Sequence, residues 1–376
     1  MRTDACREKK KNRGAFSPTK CGIGLFVATA FLLVLLRSDI AIEYMKRGLD
    51  LCARTVIPSL FPFMVISELM VSSGVGGLLG RLLARPMRVL FGVSENGACA
   101  VLLGAICGFP IGTATLCAMA DEGRITKEEC TRVMTFCNNP GSAFVISAVG
   151  GSLFGNRRLG VVLYLCVLLS SATVGLLGRL FFARNQIATS PSPACVVGAD
   201  MGIATFTRAV RRSAESMLTV CAFVTFFSAL VGCVGAVLKS IGTPAWAVAT
   251  VFGFFEISGG VGAVASLPAS APAILLCALI LGWSGLSVHM QLYTLCHGHG
   301  INFTPYLIAK ATQGLLCSLY TGLAMKCLPG AMDAFATSNT SASPRYSNAL
   351  FFCCIFFTAT VLPILLRAVQ KRCKRG

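Results

Sequence analysis

The chain has 376 residues, 55% hydrophobic and 13% charged, with a mean hydropathy of +0.74. A water-soluble domain carries about 25% Asp, Glu, Lys and Arg, so this composition excludes a soluble globule and points to a surface that meets lipid. The 33 basic and 15 acidic residues, net +18, would suit nucleic acid in a soluble protein. Here the positive residues gather in the tails and at the ends of apolar runs, so they read as membrane topology signals and not as a nucleic-acid surface.

Arg2, Arg7, Lys9, Lys10, Lys11, Arg13 and Lys20 make residues 1–20 a basic cytoplasmic tail. The first apolar run is Cys21 to Leu36. Leu35, Leu36 and Arg37 offer no small-x-small cleavage site, so 21–36 reads as an uncleaved transmembrane helix. Asp39 to Arg54 mixes apolar and charged residues at helical spacing and reads as an amphipathic interfacial helix. Thr55 to Ser73 is apolar but holds Pro58, Pro62 and Glu68, and Gly76 to Phe91 carries Arg81, Arg85 and Arg88 among leucines. Gly97 to Met119 is an apolar segment interrupted at Gly108–Thr113. After the charged stretch Asp121 to Arg132, Met134 to Gly150 is interrupted at Asn138–Ser142, and Leu159 to Phe182 is an unbroken span.

Residues 184–200 are a polar, Pro- and Ser-containing linker between a first half over 37–183 and a second over 201–328. Met201 to Glu215 is basic and amphipathic, and Ser216 to Leu238 is a span. Ala245 to Ser266 is broken at Glu256–Gly260 and Pro272 to Gln291 at Trp283–Ser287; Phe303 to Met325 is a further membrane segment. A loop over 329–347 leads to a final span and basic tail over 348–376, where Arg367, Lys371, Arg372, Lys374 and Arg375 place the second terminus with the first in the cytoplasm.

The two halves share one order: basic amphipathic stretch, span, two broken segments, span. Leu60 to Val75 lies against Val220 to Gly235, Gly112 against Gly260 and Pro140 against Gly285. The repeat rests on order and hydropathy, since few residues are identical.

Backbone at membrane depth must satisfy its own hydrogen bonds, so a Gly, Pro or Asn interruption there needs a covering of protein or a wet cavity. Paired interruptions in corresponding positions of two halves are the sequence pointer to a transporter's solute site. The expected site therefore comprises Gly108, Pro110, Gly112 and Thr113, then Asn138, Asn139, Pro140 and Ser142, then Ser258, Gly259, Ser284 and Ser287. Four ionisable residues fall inside apolar segments: Glu256, Glu68, His289 and Lys310. A charge near the bilayer centre costs at least about 2.5–3.5 kcal/mol on insertion scales, so such groups face a partner or a cavity. Glu256 suits a coupling cation (Na+ or H+), and Lys310 or His289 an acidic solute.

The 19 cysteines are scattered through apolar runs without a CxxC pair, and read as small packing residues. His297-Gly298-His299 reads as a solvated loop. No hydrolase, zinc-protease or P-loop pattern occurs, so an enzyme is not expected. Nor is a cofactor or a metal.

GLDLCARTVIPSLFPFMVISELM, GAICGFPIGTATLCAMADEGRITKEE and CNNPGSAFV resemble segments of the sporulation integral membrane protein YlbJ family. The resemblance runs from about Gly48 to Lys326. It implies two copies of a nucleoside-recognition or Gate domain, distantly similar to concentrative nucleoside transporters, with an inverted-repeat fold and helical hairpins at its centre. It also implies a role in endospore formation and in moving dipicolinate toward the forespore, in the outer forespore membrane. Gly108, Pro110, Gly112, Asn138, Asn139 and Pro140 are the site positions it carries over.

The resulting expectation is an all-α integral membrane protein of about eight to ten segments in two inverted-topology repeats with discontinuous or re-entrant helices. It would sit in the inner membrane as a secondary transporter for a small polar organic solute. A membrane scaffold or assembly factor of sporulation and a nucleoside transporter are the alternatives. The expected partners are the solute, the cation, the bilayer and, as an open case, further copies of the chain.

Overall fold

A computed structural model describes residues 18–73, 75–182 and 202–327. The tail residues Arg2 to Arg13, the linker, the 329–347 loop and the final span lie outside the described residues. Every regular element within them is helical. In chain order these are α1 (Pro18–Leu36), α2 (Ser38–Leu51), a short π-helix π1 (Cys52–Val56), α3 (Ile57–Ser72), α4 (Val75–Phe91), α5 (Glu95–Cys107), α6 (Ile111–Asp121) and α7 (Lys127–Cys137). A second π-helix, π2 (Ala143–Leu153), and α8 (Arg157–Phe182) close the first half. The second half holds α9 (Ile203–Ser240), α10 (Ala245–Phe255), α11 (Ile257–Ala265), α12 (Ala271–Trp283), α13 (Leu286–Cys296) and α14 (Thr304–Cys327).

The chain is an all-α integral membrane protein. Among the described residues three helical stretches, Arg157–Arg179, Ile203–Ser240 and Ala271–Cys296, are long and apolar enough to cross a bilayer. The number is smaller than the eight to ten segments expected because most apolar segments are cut into half-length helices of 9 to 13 residues. A bilayer core needs about 20 residues of helix, so none of these pieces spans it alone.

All four expected breaks are present. In the first half, Gly108 to Pro110 separates α5 from α6, with a cis Phe109-Pro110 bond, and Asn138 to Ser142 separates α7 from π2. In the second, Glu256 alone separates α10 from α11, and Ser284-Gly285 separates α12 from α13. Gly108 and Gly285 both adopt φ +86°, a left-handed conformation open to glycine and costly for other residues.

Within each half the two breaks meet. A Cβ on Gly108 would lie 2.4 Å from the Gly141 nitrogen, and the Phe109 N–H donates to the Asn139 carbonyl at 2.8 Å. In the second half a Cβ on Gly285 would lie 3.0 Å from the Ile257 nitrogen, and the Trp283 indole donates to the Phe254 carbonyl at 3.0 Å. The aligned glycines also behave alike. Gly112 packs on Gly104 across the first break, as Gly260 packs on Gly253 across the third. The expected corresponding elements are neighbours as well: α3 packs on α9, and α8 on α14.

Two expectations are corrected. Met201 to Glu215 and Ser216 to Leu238 are one helix, α9, of 38 residues. No proline occurs within it and its first glycine is Gly232. At 1.5 Å per residue it is about 57 Å long, nearly twice the hydrocarbon thickness, so its basic start can stand clear of the bilayer without ending the helix. The second correction concerns Asp39 to Arg54, expected flat on the interface. It instead runs antiparallel to the apolar part of α9. Ala41, Gly48 and Cys52 are buried, a Cβ on Gly48 would lie 3.1 Å from Ser228, and the Cys52 Sγ is 3.9 Å from the Cys221 carbonyl. Small residues on that stripe let the two helices approach closely.

The charged stretch after the first break is a capping device. Thr126 begins α7 by accepting from the Glu129 N–H at 3.2 Å, while the Glu129 carboxylate accepts from the Ser94 N–H at 2.6 Å. One carboxylate thus ties the starts of α5 and α7 together.

Candidate functional site

The four breaks open onto one cavity of about 590 Å³. Cys107 and Phe109 reach it from the first break, Gly141 and Ser142 from the second, Glu256 to Ser258 from the third, and Ser287 with Gln291 from the last. The volume lies in the range of small-molecule sites. Helices π2, α11 and α13 all begin at its wall, and a helix start presents N–H groups and a partial positive charge. Its sides are apolar, from Leu60, Phe63, Val220 and Val224, with Arg54 at the wall as the cation. Phe144, Ser147, Ala148 and Ser152 line it from π2, a helix type rare in proteins and frequent at functional sites.

Glu256 is buried, and its two carboxylate oxygens accept from the Ser258 N–H at 3.0 Å and the Gly259 N–H at 2.6 Å. It is the cap of α11 and a wall of the cavity at once. Ser287 accepts from the Gln291 amide at 3.3 Å, and the Ser142 hydroxyl donates to the Ile106 carbonyl at 3.2 Å across to the first broken segment.

Thr113, Asn138, Asn139 and Lys310 form a second group that does not line the cavity. The Thr113 hydroxyl donates to the Asn138 side-chain oxygen at 2.8 Å. Lys310 donates to the Asn138 backbone carbonyl at 3.0 Å and to the Gln313 side-chain oxygen at 2.9 Å. The Gln313 amide donates to the Asn139 side-chain oxygen at 2.7 Å, and the Asn139 amide to Ser171 at 3.2 Å. Thr113, Asn138, Asn139, Lys310 and Gln313 are all buried. Helix α7 ends at Cys137, so its last carbonyls lack partners within the helix. Lys310, from the other half of the chain, supplies one. The Asn-Asn pair and Lys310 therefore bind the halves together beside the second break, and they do not touch the cavity. Pro140, also in this break, is buried.

His289 lies on the side of α13 away from Ser287 and Gln291. Its Nδ1 shares a hydrogen bond of 2.9 Å with the Tyr306 hydroxyl, its ring stands edge-on to Trp283 at 4.3 Å, and its Nε2 has no partner among the described residues. Ser284 is buried and donates to the Leu281 carbonyl. Glu68 pairs with Arg212 of α9 at 2.9 Å, outside the cavity. His299 of the His-Gly-His loop pairs with Asp121 at 2.9 Å, and among the described residues no group of three His, Cys, Asp or Glu side chains could hold a metal.

Sequence reasoning missed Arg54, Phe144, Gln291 and Gln313. Gln291 and Gln313 had a legible signal, a second polar residue one turn from Ser287 and from Lys310 inside apolar helices.

The chain is 28% identical over 342 residues, covering 81% of its length and 83% of the relative's, to the sporulation integral membrane protein YlbJ of Bacillus subtilis (strain 168). The family resemblance read from the motifs thus extends over most of the chain. No protein-family model matches it, and no solved structure matches it.

Proposed function

We propose that the chain is a secondary transporter of a small organic anion, working by alternating access between two halves of inverted topology. The observation that carries this reading is the convergence of four helix breaks, two from each half, on one cavity. A scaffold needs no such cavity, whereas a solute site at half-helix ends does. Helix starts, hydroxyls and Arg54 favour an anion over a neutral nucleoside. The relative's printed name places it in sporulation, and we assign this chain to the same setting, with dipicolinate, a small aromatic dianion, as the cargo and the outer forespore membrane as the location. Glu256, at the wall of the cavity and held by backbone N–H groups, is the group for a coupling proton or Na+.

Glu256→Gln keeps one acceptor oxygen of two. It is expected to weaken the cap of α11 by about 1 kcal/mol, leaving membrane abundance near normal, while removing ion-dependent current by tenfold or more. Currents on solid-supported membranes, recorded on jumps of pyridine-2,6-dicarboxylate or adenosine with and without Na+ and H+ gradients, test the reading. A dicarboxylate current that Glu256→Gln loses is expected. No current with any solute under any gradient rejects it.

A further inference from the structure

A second cavity, of about 690 Å³, lies beside the first and shares with it Leu51, Phe144, Ala148, Ser152, Glu256 and Ser258. The two are therefore neighbouring compartments of one groove. Along α9 the wall passes from Val220 in the first to Lys239 in the second, about 28 Å of helix, which matches the hydrocarbon thickness of about 30 Å. Beside α9, along the helix packed on it, it passes from Phe63 through π1 and α2 to Tyr44.

That neighbouring wall is charged. Glu43, Arg47, Asp50 and Arg54 recur at intervals of four, three and four and so share one face of the helix. Arg47 pairs with Glu43, and Arg54 with Asp50 at 2.5 Å. All four are exposed. Because α2 and π1 lie along the apolar part of α9, this ladder stands at membrane depth, where charges must face water or another charged group. Arg47 lines the second compartment and Arg54 the first. The charged groups of the groove are then Arg47, Arg54 and Lys239 against Glu256, whose oxygens are already held by backbone N–H groups.

We infer that the two compartments are one water-filled permeation path for carboxylates, and that Arg47 and Arg54 are its anion-binding residues. This rests on the transport reading for its cargo. Each guanidinium is kept by a carboxylate one turn earlier while the path is empty. It exchanges that carboxylate for one on the solute, which a guanidinium holds with two parallel hydrogen bonds. The two arginines are two turns apart, about 10 Å, so the solute passes from one to the other across the Phe144–Ser258 junction.

The test is the reactivity of cysteines introduced one at a time toward an anionic, membrane-impermeant methanethiosulfonate in sealed proteoliposomes, measured above the rate of the native chain, whose own 19 cysteines set the background. Arg47→Cys and Arg54→Cys are expected to react at least tenfold faster than Leu218→Cys, which is exposed on α9 outside the groove. Pyridine-2,6-dicarboxylate is expected to slow the reaction at both arginine positions threefold or more, and adenosine to leave it unchanged. Rates equal to that of Leu218→Cys, or rates no solute alters, overturn the inference. So does oxidative cross-linking of Arg54→Cys chains to one another, which would make the ladder a contact between copies. The reading needs no turnover: protection without any solute current would uphold the site and reject transport.

Discussion

Gly104→Ala is expected to prevent the chain from accumulating in the membrane as a folded protein. The added Cβ would lie 1.9 Å from the Cys137 carbonyl oxygen and 3.2 Å from the Gly112 Cα. Neither neighbour is a flexible side chain that can rotate away. Cys137 is the last residue of α7, and its position sets that of Asn138 and the whole second break. Forcing a methyl into a packed interior costs about 1–3 kcal/mol where side chains can yield, and here backbone must move, so the cost lies above that range. Gly262→Ala is the matched control. Its Cβ meets nothing within 4 Å, and it lies inside α11, where alanine is favoured over glycine by up to about 1 kcal/mol. Membrane abundance and a monodisperse profile in mild detergent are the readouts: loss for Gly104→Ala, no loss for Gly262→Ala. Normal levels of both would show that the broken segments do not cross as closely as described.

Lys310→Met is expected to lower stability by about 2–6 kcal/mol with little change in side-chain volume. It leaves two buried acceptors, the Asn138 carbonyl and the Gln313 side-chain oxygen, without their donor, and each such loss costs about 1–3 kcal/mol. Gln313 then loses its hold on Asn139 as well, so Gln313→Leu added to Lys310→Met should cost less than the two separate effects combined. Thermal melting of the purified protein in detergent reads this directly. Lys326→Met, exposed at the end of the same helix, should melt with the native chain. A Lys310→Met protein as stable as the native one would mean that Lys310 does not join the halves.

The breaks were legible in the sequence because Gly, Pro and Asn interrupt helices by local chemistry: Gly108 and Gly285 adopt a conformation that glycine alone takes easily, and Glu256 caps the helix it precedes. Local signals fail where a contact is made across the chain. Nothing in the neighbourhood of Lys310 announces the Asn138 carbonyl 172 residues away, so a residue expected to face the solute is found holding backbone. Charge also misled. The charged residues of 39–54 and of 201–215 read as signs of an interface and of a helix boundary. In fact one borders the groove and packs along the apolar part of α9, and the other begins a helix longer than a bilayer is thick. Arg54 was hidden for the same reason, as one member of an ordinary-looking i, i+4 pair.

If the four breaks enclose the path a solute takes, a bulky side chain at Ala148 blocks it, which uptake of labelled pyridine-2,6-dicarboxylate by proteoliposomes carrying Ala148→Trp measures. Ala148 lies on π2 where the two compartments meet and is only partly buried, so an indole there can occupy the groove without displacing packed backbone. Uptake by the native chain, with a loss of tenfold or more in Ala148→Trp at equal abundance and equal melting temperature, is the predicted result. Uptake by Ala148→Trp equal to that of the native chain would contradict it.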